Sequence, residues 1–416
     1  MTVRARRFMT KKPIGGRLLA VFVASTGGLA QAHALTAEDA ARLALERPEN
    51  AALLGAEVDA ARGDLIAART WRNPVFHYQR EGVEGVGGDG TENFFSVEKE
   101  FDLSGRRALA RRAAGARLTA AEHGLVGARA MLRAEALSRF YDVLAAETKA
   151  EAAAAYADHL RDLEKAVATR LREGDVSNYD LGRVRQETVQ APAVIARARA
   201  EAFAAKQALA ALIGPQTLAG AGDPNGSLLP PAPGPLETLV ERARTAPRLA
   251  ALAAQAEAAN YEKRAAGRIM PDVALGAGVK TIEGPSEETG VLLSARVPLP
   301  LFDRNQGAYA RRSAEARQAA ARYQLAQDRV AADVAALANR VKELREAALA
   351  YENGALASAA ELRRIARLSY EAGEISVLEA IDAMRAAWEA ELHILTLKSD
   401  ARAAHTALFE LLPETE

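Results

Sequence analysis

The stretch FSVEKEFDLSGRRALARRAAGARLTAAE, residues 95–122, decides the fold, because its pattern changes from strand-like to helix-like within a few residues. Phe95, Val97 and Phe101 alternate with polar or charged residues, and this period of two predicts a strand. From about residue 104 onward Ala, Leu and Arg dominate and proline is absent, which favours a helix. The stretch therefore predicts a strand that leads directly into a long helix.

A second stretch of the same kind, LSARVPLPLFDRNQGAYARRSAEARQAAA, occupies residues 293–321. Further landmarks recur at nearly the same spacing: Pro48 and Pro247 are 199 residues apart, Pro74 and Pro271 are 197 apart, and Gly174 and Gly373 are 199 apart. Chance similarity among alanine-rich helices would not keep proline, glycine and strand-like segments in one order. The spacing predicts an internally duplicated chain.

The predicted organisation follows from this duplication. A first repeat covers residues 35–225 and a second covers residues 236–412, and the Pro- and Gly-rich residues 214–235 link them. Each repeat has a helix, a β-hairpin and a pair of long helices joined by a turn. The hairpins are expected at about 74–102 and about 272–299, and the turns at 174–181 and 373–381.

The long helices are the largest expected elements. Residues 104–172 and 304–372 each form a helical pattern of 69 residues without proline. At 1.5 Å per residue each helix is roughly 100 Å long. Only 5% of the residues are aromatic while alanine is abundant, which favours thin helices that approach closely over a thick globular core.

The N-terminus predicts a secretory signal peptide at residues 1–34, with a retained anchor helix as the alternative. Six Lys or Arg residues precede a short apolar run, and Ala32 with Ala34 fits a signal-peptidase site. Cleavage would leave 48 basic residues against 54 acidic ones. Without a basic surface the expected mature chain is not a nucleic-acid-binding protein.

The composition and motifs also argue against catalysis and cofactor binding. The chain has no cysteine, which excludes disulfides, thiolate metal sites and cysteine nucleophiles. The His residues after position 34 are not paired at the i, i+3 or i+4 spacing of helical metal ligands, and the glycine-rich segment at residues 85–90 lacks a phosphate-binding pattern. We expect no enzyme activity, no cofactor and no resident metal.

Two pairs of short segments interrupt the helical pattern. Val291, Leu293, Ala295 and Val297 alternate with other residues, which predicts a strand whose apolar side faces lipid. The segments at 273–280 and 95–102 alternate in the same way. We therefore expect four transmembrane strands in two hairpins.

These strands require more than one copy of the chain. Four strands cannot close a barrel, and an open sheet edge in hydrocarbon would leave backbone N–H and C=O groups unpaired. Two copies would give eight strands around a filled interior, whereas three give twelve strands around a water-filled lumen. The expected fold is mainly α with a small β part, assembled as a trimer with a 12-stranded β-barrel continued by an α-helical barrel.

Five stretches are distinctive: RNPVFHYQREG from Arg72, VEKEFDLSGRR from Val97, MPDVALGAG from Met270, VPLPLFDRNQG from Val297 and YEAGEISVLEAIDA from Tyr370. With them the chain resembles the TolC-like outer-membrane efflux factor family, and within it the subgroup that serves heavy-metal (cobalt-zinc-cadmium) resistance pumps. The resemblance covers nearly all of the expected mature chain. One departure is that many pump-associated members have an acylated N-terminal cysteine, which this chain lacks.

The resemblance implies a homotrimeric channel in the bacterial outer membrane with a large periplasmic part. Its helical tip would dock onto a periplasmic adaptor (membrane fusion protein) that serves an inner-membrane RND pump, and its cargo would be heavy-metal cations. A duct for protein secretion or drug efflux is the alternative. A soluble periplasmic coiled-coil scaffold and a helical enzyme are the other classes of function that we considered.

The resemblance also implies roles for residues of the two turns. The family has an acidic ring that narrows the tip, and Glu379 and Asp382 match its positions, with Asp180 in the equivalent first-repeat turn. The alternative is a solvated helix face. The residues expected to dock the adaptor, or alternatively only to form stable turns, are Gly174, Val176, Ser177, Tyr179, Leu181, Gly373, Ile375, Ser376 and Leu378.

Overall fold

The computed structural model describes residues 34–83, 90–283 and 287–412. The expected signal peptide lies outside these ranges apart from Ala34. The helices and strands of the first repeat are, in order, α1 (Ala37–Glu46), α2 (Pro48–Arg69), β1 (Val75–Val83), β2 (Gly90–Phe101), α3 (Arg106–Glu173), α4 (Asn178–Ile213) and the short α5 (Pro215–Gly220).

The second repeat has the same order of elements. Its helices and strands are α6 (Leu236–Arg244), α7 (Pro247–Ala266), β3 (Val273–Glu283), β4 (Glu288–Arg296), α8 (Gln306–Tyr351), α9 (Ala357–Ala372) and α10 (Val377–Glu410). A π-helical segment, Glu352–Leu356, joins α8 to α9 into one rod. The mainly helical fold with a small antiparallel sheet is confirmed.

The two long rods match the lengths expected from the sequence. α3 contains 68 residues, or roughly 100 Å of helix. The second rod runs from α8 through the π-helical segment to α9 and ends at Ala372. Alanine dominates the buried positions of α3, and alanine and valine together fill most of those of the second rod, so neighbouring helices approach closely and little aromatic filling is needed.

The four strands form one antiparallel sheet in the order β1-β2-β3-β4. The sequence predicts two hairpins, and the structure joins them through β2 and β3, where Phe95 lies opposite Val279 and Val97 opposite Ala277. Strands β1 and β4 are the outer strands of this sheet, and each has a neighbour on one side only within the described residues. A single chain therefore presents two unpaired edges.

The same type of turn leads from sheet to rod in both repeats. Gly105 has φ 74° and Asn305 has φ 64°, so each chain segment passes through the left-handed region immediately before its long helix. Asp102 accepts hydrogen bonds from the backbone N–H groups of Ser104 and Arg107, and Asp303 accepts one from Asn305 N–H. Glycine and asparagine tolerate this conformation best, which explains their use here.

Around the middle of the rods, each repeat has its own apolar cluster. In the first repeat α1 packs against α3 and α4 around Phe140 and Leu209. In the second repeat α6 and α7 pack against α8 and α10 around Val334 and Leu408. The packing of α1 against α3 and α4 thus resembles that of α6 against α8 and α10.

The linker between the repeats is fastened to this middle region by two arginines. Arg402 in α10 donates hydrogen bonds to the carbonyl oxygens of Ser227, Leu228 and Leu229, and its guanidinium lies 4.2 Å from the centre of the Tyr141 ring. Arg345 in α8 donates to the Pro230 carbonyl at 3.1 Å. Burial lowers the pKa of Arg402. The linker is thus held against the rods through its backbone.

None of the helices in the described ranges combines the length and the apolar character needed to cross a bilayer.

Candidate functional site

Two turns at the far ends of the rods have the same backbone geometry. Gly174 has φ 89° and Gly373 has φ 80°, and each ends its helix in the left-handed conformation. The following N–H group reaches back in both turns, from Asp175 to the Arg170 carbonyl at 3.0 Å and from Glu374 to the Ser369 carbonyl at 2.8 Å. This is a Schellman-type C-terminal cap, and glycine fits it without strain.

The next helix of each turn begins with a capping box. The hydroxyl of Ser177 accepts a hydrogen bond from Asp180 N–H, and the Asp180 carboxylate accepts one from Ser177 N–H at 3.0 Å. Ser376 and Glu379 repeat this arrangement, with 2.7 Å between Ser376 N and the Glu379 carboxylate. The helices therefore start at Asn178 and Val377, earlier than the expected ends of the turns at 181 and 381.

The capping role affects the charge of these acids. Hydrogen bonds from Ser177 lower the pKa of Asp180, and those from Ser376, its backbone N–H first, lower the pKa of Glu379. Both carboxylates therefore stay ionised at mildly acidic pH. Two of the three residues proposed for the acidic ring are consequently also structural caps.

Asp382 differs from the two capping acids. It lies one turn further along α10, its side chain is 67% exposed, and Arg385 approaches it at 3.9 Å. The same arginine bonds to Glu187 of α4 at 2.7 Å, which joins α10 to α4. Of the three acids proposed for the ring, Asp382 is therefore the one whose charge can be changed without removing a helix cap.

The expected docking residues divide into a buried and an exposed set. Leu181 is packed in the apolar cluster of the tip with residues of α3 and α10, and Val176 and Ile375 are half-buried against that cluster. Tyr179 and Leu378 are exposed. The structure thus gives Leu181 a core position, and Tyr179 and Leu378 are the exposed large apolar residues of the expected set.

Arg170 joins the two tips and was not identified from the sequence. It donates a hydrogen bond to the Tyr370 carbonyl at 2.8 Å, and its guanidinium lies 5.3 Å from the centre of the Tyr370 ring. Tyr370 itself is buried. An arginine 200 residues away in sequence gives no local signal of this contact, because only the fold brings α3 beside the end of α9.

An apolar groove of about 360 Å³ lies between α9 and α10 near the tip. Its walls are mostly small or aliphatic, and Leu362 and Ile365 are exposed in it. Glu379 lies at the end nearest the turn. Such a groove has the size and chemistry to receive side chains of another helix.

The register of the sheet places its apolar residues on one face, because residues opposite each other in an antiparallel pair point to the same side. The stacked Tyr78 and Phe95 rings, 4.9 Å apart, lie on this face. The face also contains Phe76, Val97, Leu275, Ala277, Val279, Val291, Leu293 and Ala295.

The other face of the sheet is polar. Lys280 bonds to Glu92 at 2.7 Å and Arg296 to Glu98 at 3.0 Å. Of the four residues expected to face lipid, Val291, Leu293 and Ala295 lie on the apolar face, whereas Val297 follows the last residue of β4. The sheet therefore has one side suited to hydrocarbon and one suited to water.

In the described ranges, no group of three or more His, Asp or Glu side chains is placed to hold a metal ion.

The comparisons with known proteins agree with this architecture. Residues 239–413 match the family model described as outer membrane efflux protein. The cobalt-zinc-cadmium resistance protein CzcC of Cupriavidus metallidurans is 26% identical over 387 residues, covering 91% of this chain and 90% of that protein. The nickel-cobalt-cadmium resistance protein NccC of Alcaligenes xylosoxydans xylosoxydans is 28% identical over 309 residues, covering 69% of this chain and 66% of that protein.

A solved structure extends the similarity to the whole fold. The outer membrane protein VceC of Vibrio cholerae superimposes with a TM-score of 0.74 at 19% identity, over 91% of this chain and 96% of VceC. Residues 239–413 thus match the outer membrane efflux protein family, the chain is similar in sequence to CzcC and NccC, and its fold is that of the solved VceC structure.

Proposed function

We propose that three copies of this chain form an outer-membrane channel that exports heavy-metal cations as part of a tripartite system with a periplasmic adaptor and an inner-membrane RND pump. The observation that carries the proposal is a four-stranded sheet with one apolar exposed face and two open edges, continuous with helices of roughly 100 Å. Such a sheet becomes stable in lipid only when its edges are paired.

The helices support a ring of copies as well. On α4 an exposed apolar stripe faces away from α3 with the spacing of a helical seam, and it consists of Val189, Ala193, Ala196, Ala200 and Phe203. The apolar groove between α9 and α10 is a surface of a different kind. A contact between two different surfaces is head-to-tail, and such a contact gives a closed ring when its rotation is a whole fraction of a turn.

The number of copies follows from the sheet. With four strands per copy, three copies give a barrel of twelve, which is wide enough for a water-filled lumen. The polar face, with Glu92, Glu98 and Lys280, would line that lumen. The same threefold axis would bring the tips of α10 together around Asp382.

The choice of cargo rests on the two relatives, whose names give resistance to cobalt, cadmium, zinc and nickel. The tip is consistent with passage of cations, since Glu379 and Asp382 present carboxylates without the thiolates or imidazoles that would retain such metals. The chain would then act as a conduit, with the metal selected by the pump.

A deletion strain tests this function. We expect loss of the gene to lower tolerance to zinc, cobalt, cadmium or nickel while tolerance to drugs stays unchanged, and the intact gene to restore metal tolerance. Drug sensitivity with normal metal tolerance would contradict the metal assignment and favour drug efflux. Loss of a secreted protein from the medium would favour a secretion duct.

The acidic ring gives a second prediction. Asp382→Asn should lower the cation preference of the reconstituted channel, because three carboxylates near one axis attract cations electrostatically. The ratio of cation to anion permeability in planar bilayers measures this. Asp158→Asn is the matched control, an exposed acid on α3 away from the turns. An unchanged permeability ratio would show that Asp382 does not lie on the conduction path.

A further inference from the structure

The dipeptide Asn-Gly occurs twice in the chain, at residues 225–226 and at residues 353–354. In this dipeptide an asparagine can lose its side-chain nitrogen spontaneously, because glycine has no Cβ to hinder attack by its own backbone nitrogen on the preceding carboxamide. The attack also requires a backbone that can bring that nitrogen onto the carboxamide carbon. The two dipeptides differ in this second respect.

Asn225 and Gly226 lie in an irregular stretch of the linker, and both are exposed. In the part of the chain that the structure describes, the Gly226 N–H donates no hydrogen bond, so no acceptor holds that nitrogen in place. Asn353 and Gly354 are exposed too, but they belong to the π-helical segment between α8 and α9. Helical side chains are directed toward the helix N-terminus, which turns the Asn353 carboxamide away from the nitrogen that follows it. Of the two, the linker dipeptide is therefore the one that can react.

The chain just before Gly226 is fastened to the start of the first repeat. Asn225 N–H donates a hydrogen bond to the Leu35 carbonyl at 2.9 Å, and Leu35 N–H donates one to the Asp223 carbonyl at 3.1 Å. Leu35 is only 3% exposed and belongs to the apolar cluster around Phe140. These two hydrogen bonds therefore anchor the linker to a buried residue.

The chain just after Gly226 is fastened to α10. Arg402 donates hydrogen bonds to the Ser227 carbonyl and to the two carbonyl groups that follow it. Only Gly226 separates the two fastenings, and a Cβ atom built on it would lie 3.5 Å from the Phe140 ring. The main chain between Asn225 and Ser227 is thus short, held at both ends and close to the core.

We propose that Asn225 deamidates spontaneously through a succinimide, and that the isoaspartyl product detaches the linker from Leu35. The Gly226 nitrogen bonds to the side-chain carbonyl carbon of Asn225, and the carboxamide nitrogen leaves as ammonia, taking up the proton of that N–H group. Water then opens the five-membered ring. Opening at the side-chain carbonyl gives aspartate, whereas opening at the main-chain carbonyl gives isoaspartate, whose main chain passes through the former side chain.

Isoaspartate lengthens the main chain between the two fastenings by one carbon–carbon bond, about 1.5 Å. This displacement is larger than the spread of N–H···O distances, about 2.7–3.2 Å, so one fastening has to give way. The hydrogen bonds to Leu35 join neutral groups, whereas those from Arg402 are charge-assisted and roughly twice as strong. The linker is therefore lost from Leu35 and kept by Arg402.

The conversion is measured on the purified full-length protein in detergent, incubated in mildly alkaline buffer and then digested with trypsin. The two dipeptides fall in separate tryptic peptides, residues 207–242 and 346–363, and each peptide has a single asparagine. We expect the first peptide to gain one dalton with time and to divide into aspartyl and isoaspartyl forms, while the second stays unchanged over the same period. Equal conversion of both peptides, or no conversion of the first, would overturn the proposal.

Two glycine variants test the attacking atom. Gly226→Ala should slow the conversion strongly, and it should fold, because the added Cβ meets the Phe140 ring at an ordinary contact distance and residue 226 is not in the left-handed conformation. Gly354→Ala is the matched control, with no heavy atom of another segment within 4 Å of the added Cβ, and it should leave the conversion of Asn225 unchanged. Unslowed conversion in Gly226→Ala would show that the Gly226 nitrogen is not the attacking group.

The detachment from Leu35 is measured by hydrogen exchange on a partly converted sample. The asparaginyl, aspartyl and isoaspartyl forms of one peptide separate by reversed-phase chromatography, so their deuterium uptake is compared within the same protein solution. The isoaspartyl form should take up at least one more deuteron at short exchange times, because the amide of residue 225 no longer bonds to Leu35, whereas the aspartyl form should match the asparaginyl form. Equal uptake by the isoaspartyl and asparaginyl forms would overturn the detachment. Faster uptake by the aspartyl form would overturn it as well, since the new charge and not the longer main chain would then be the cause.

Discussion

Gly278→Ala is expected to disrupt the sheet. A Cβ atom at residue 278 would lie 2.2 Å from the carbonyl oxygen of Phe95 and 2.7 Å from the Cβ of Ser96, both on the neighbouring strand β2. The Phe95 oxygen is a backbone atom and cannot rotate away, so the central pair of strands has to separate. We expect a loss of roughly 3–5 kcal/mol, at the upper end of single-substitution effects.

Because β2 and β3 join the two repeats, separating them would divide the sheet of each chain into two hairpins before assembly, and a hairpin by itself is marginally stable in water. The variant should therefore fail to accumulate as an assembled outer-membrane protein. The measurement is the amount of trimer recovered from membranes by size-exclusion chromatography in detergent, together with the β-sheet signal in circular dichroism.

Two other glycines of the same face are graded controls. Gly290 on β4 has no heavy atom within 4 Å of an added Cβ, so Gly290→Ala should assemble normally. At Gly276 the nearest atom is the Ser294 hydroxyl, which can rotate, so Gly276→Ala should be intermediate. If all three variants assembled equally, the close approach of β2 to β3 at Gly278 would be wrong.

Much of this architecture could be predicted from the sequence because it depends on local patterns. Each tip turn is predicted by signals within a few residues, namely a glycine that can adopt the left-handed conformation and a Ser-x-x-acid cap after it. The structure has a turn of this kind at Gly174 and another at Gly373. The period of two in Val291, Leu293 and Ala295 likewise predicts the apolar side of β4. The spacing of the internal repeat then predicts the same element at the corresponding residues of the other half of the chain.

What the sequence did not predict depends on contacts between distant segments. Leu181 follows the first-repeat turn and is expected there as an adaptor-docking residue or as part of a stable turn, and the packing of α10 against α3 and α4 buries it. The π-helical segment at Glu352–Leu356 has no counterpart in the first repeat, where α3 is continuous. The internal repeat therefore predicts an uninterrupted α-helix at these residues.

The linker also illustrates a contact that sequence patterns cannot reveal. Residues 214–235 have the composition of a flexible connection, yet Arg402 is only 8% exposed and fixes three consecutive carbonyl groups of that linker. An arginine within a long alanine-rich helix gives no indication that it is buried. A buried guanidinium without a carboxylate partner is tolerated because carbonyl oxygens and the Tyr141 ring take the place of water.

Arg402→Met should therefore destabilise the middle of the protein strongly. It keeps the aliphatic part of the side chain but removes three hydrogen bonds and leaves the carbonyl groups of Ser227, Leu228 and Leu229 without this donor, and the expected loss is about 3 kcal/mol or more. The released linker should become sensitive to thermolysin at Leu228 and Leu229, measured by the rate of cleavage of the detergent-solubilised protein. The thermal unfolding midpoint of the protein should fall.

Arg345→Met removes a single hydrogen bond to the Pro230 carbonyl and should have a smaller effect on both measurements. Arg197→Met, on the exposed surface of α4, should change neither of them. Equal cleavage rates for Arg402→Met and Arg197→Met would show that the linker is held by its apolar contacts at Leu228 and Pro230, and that the buried arginine contributes little.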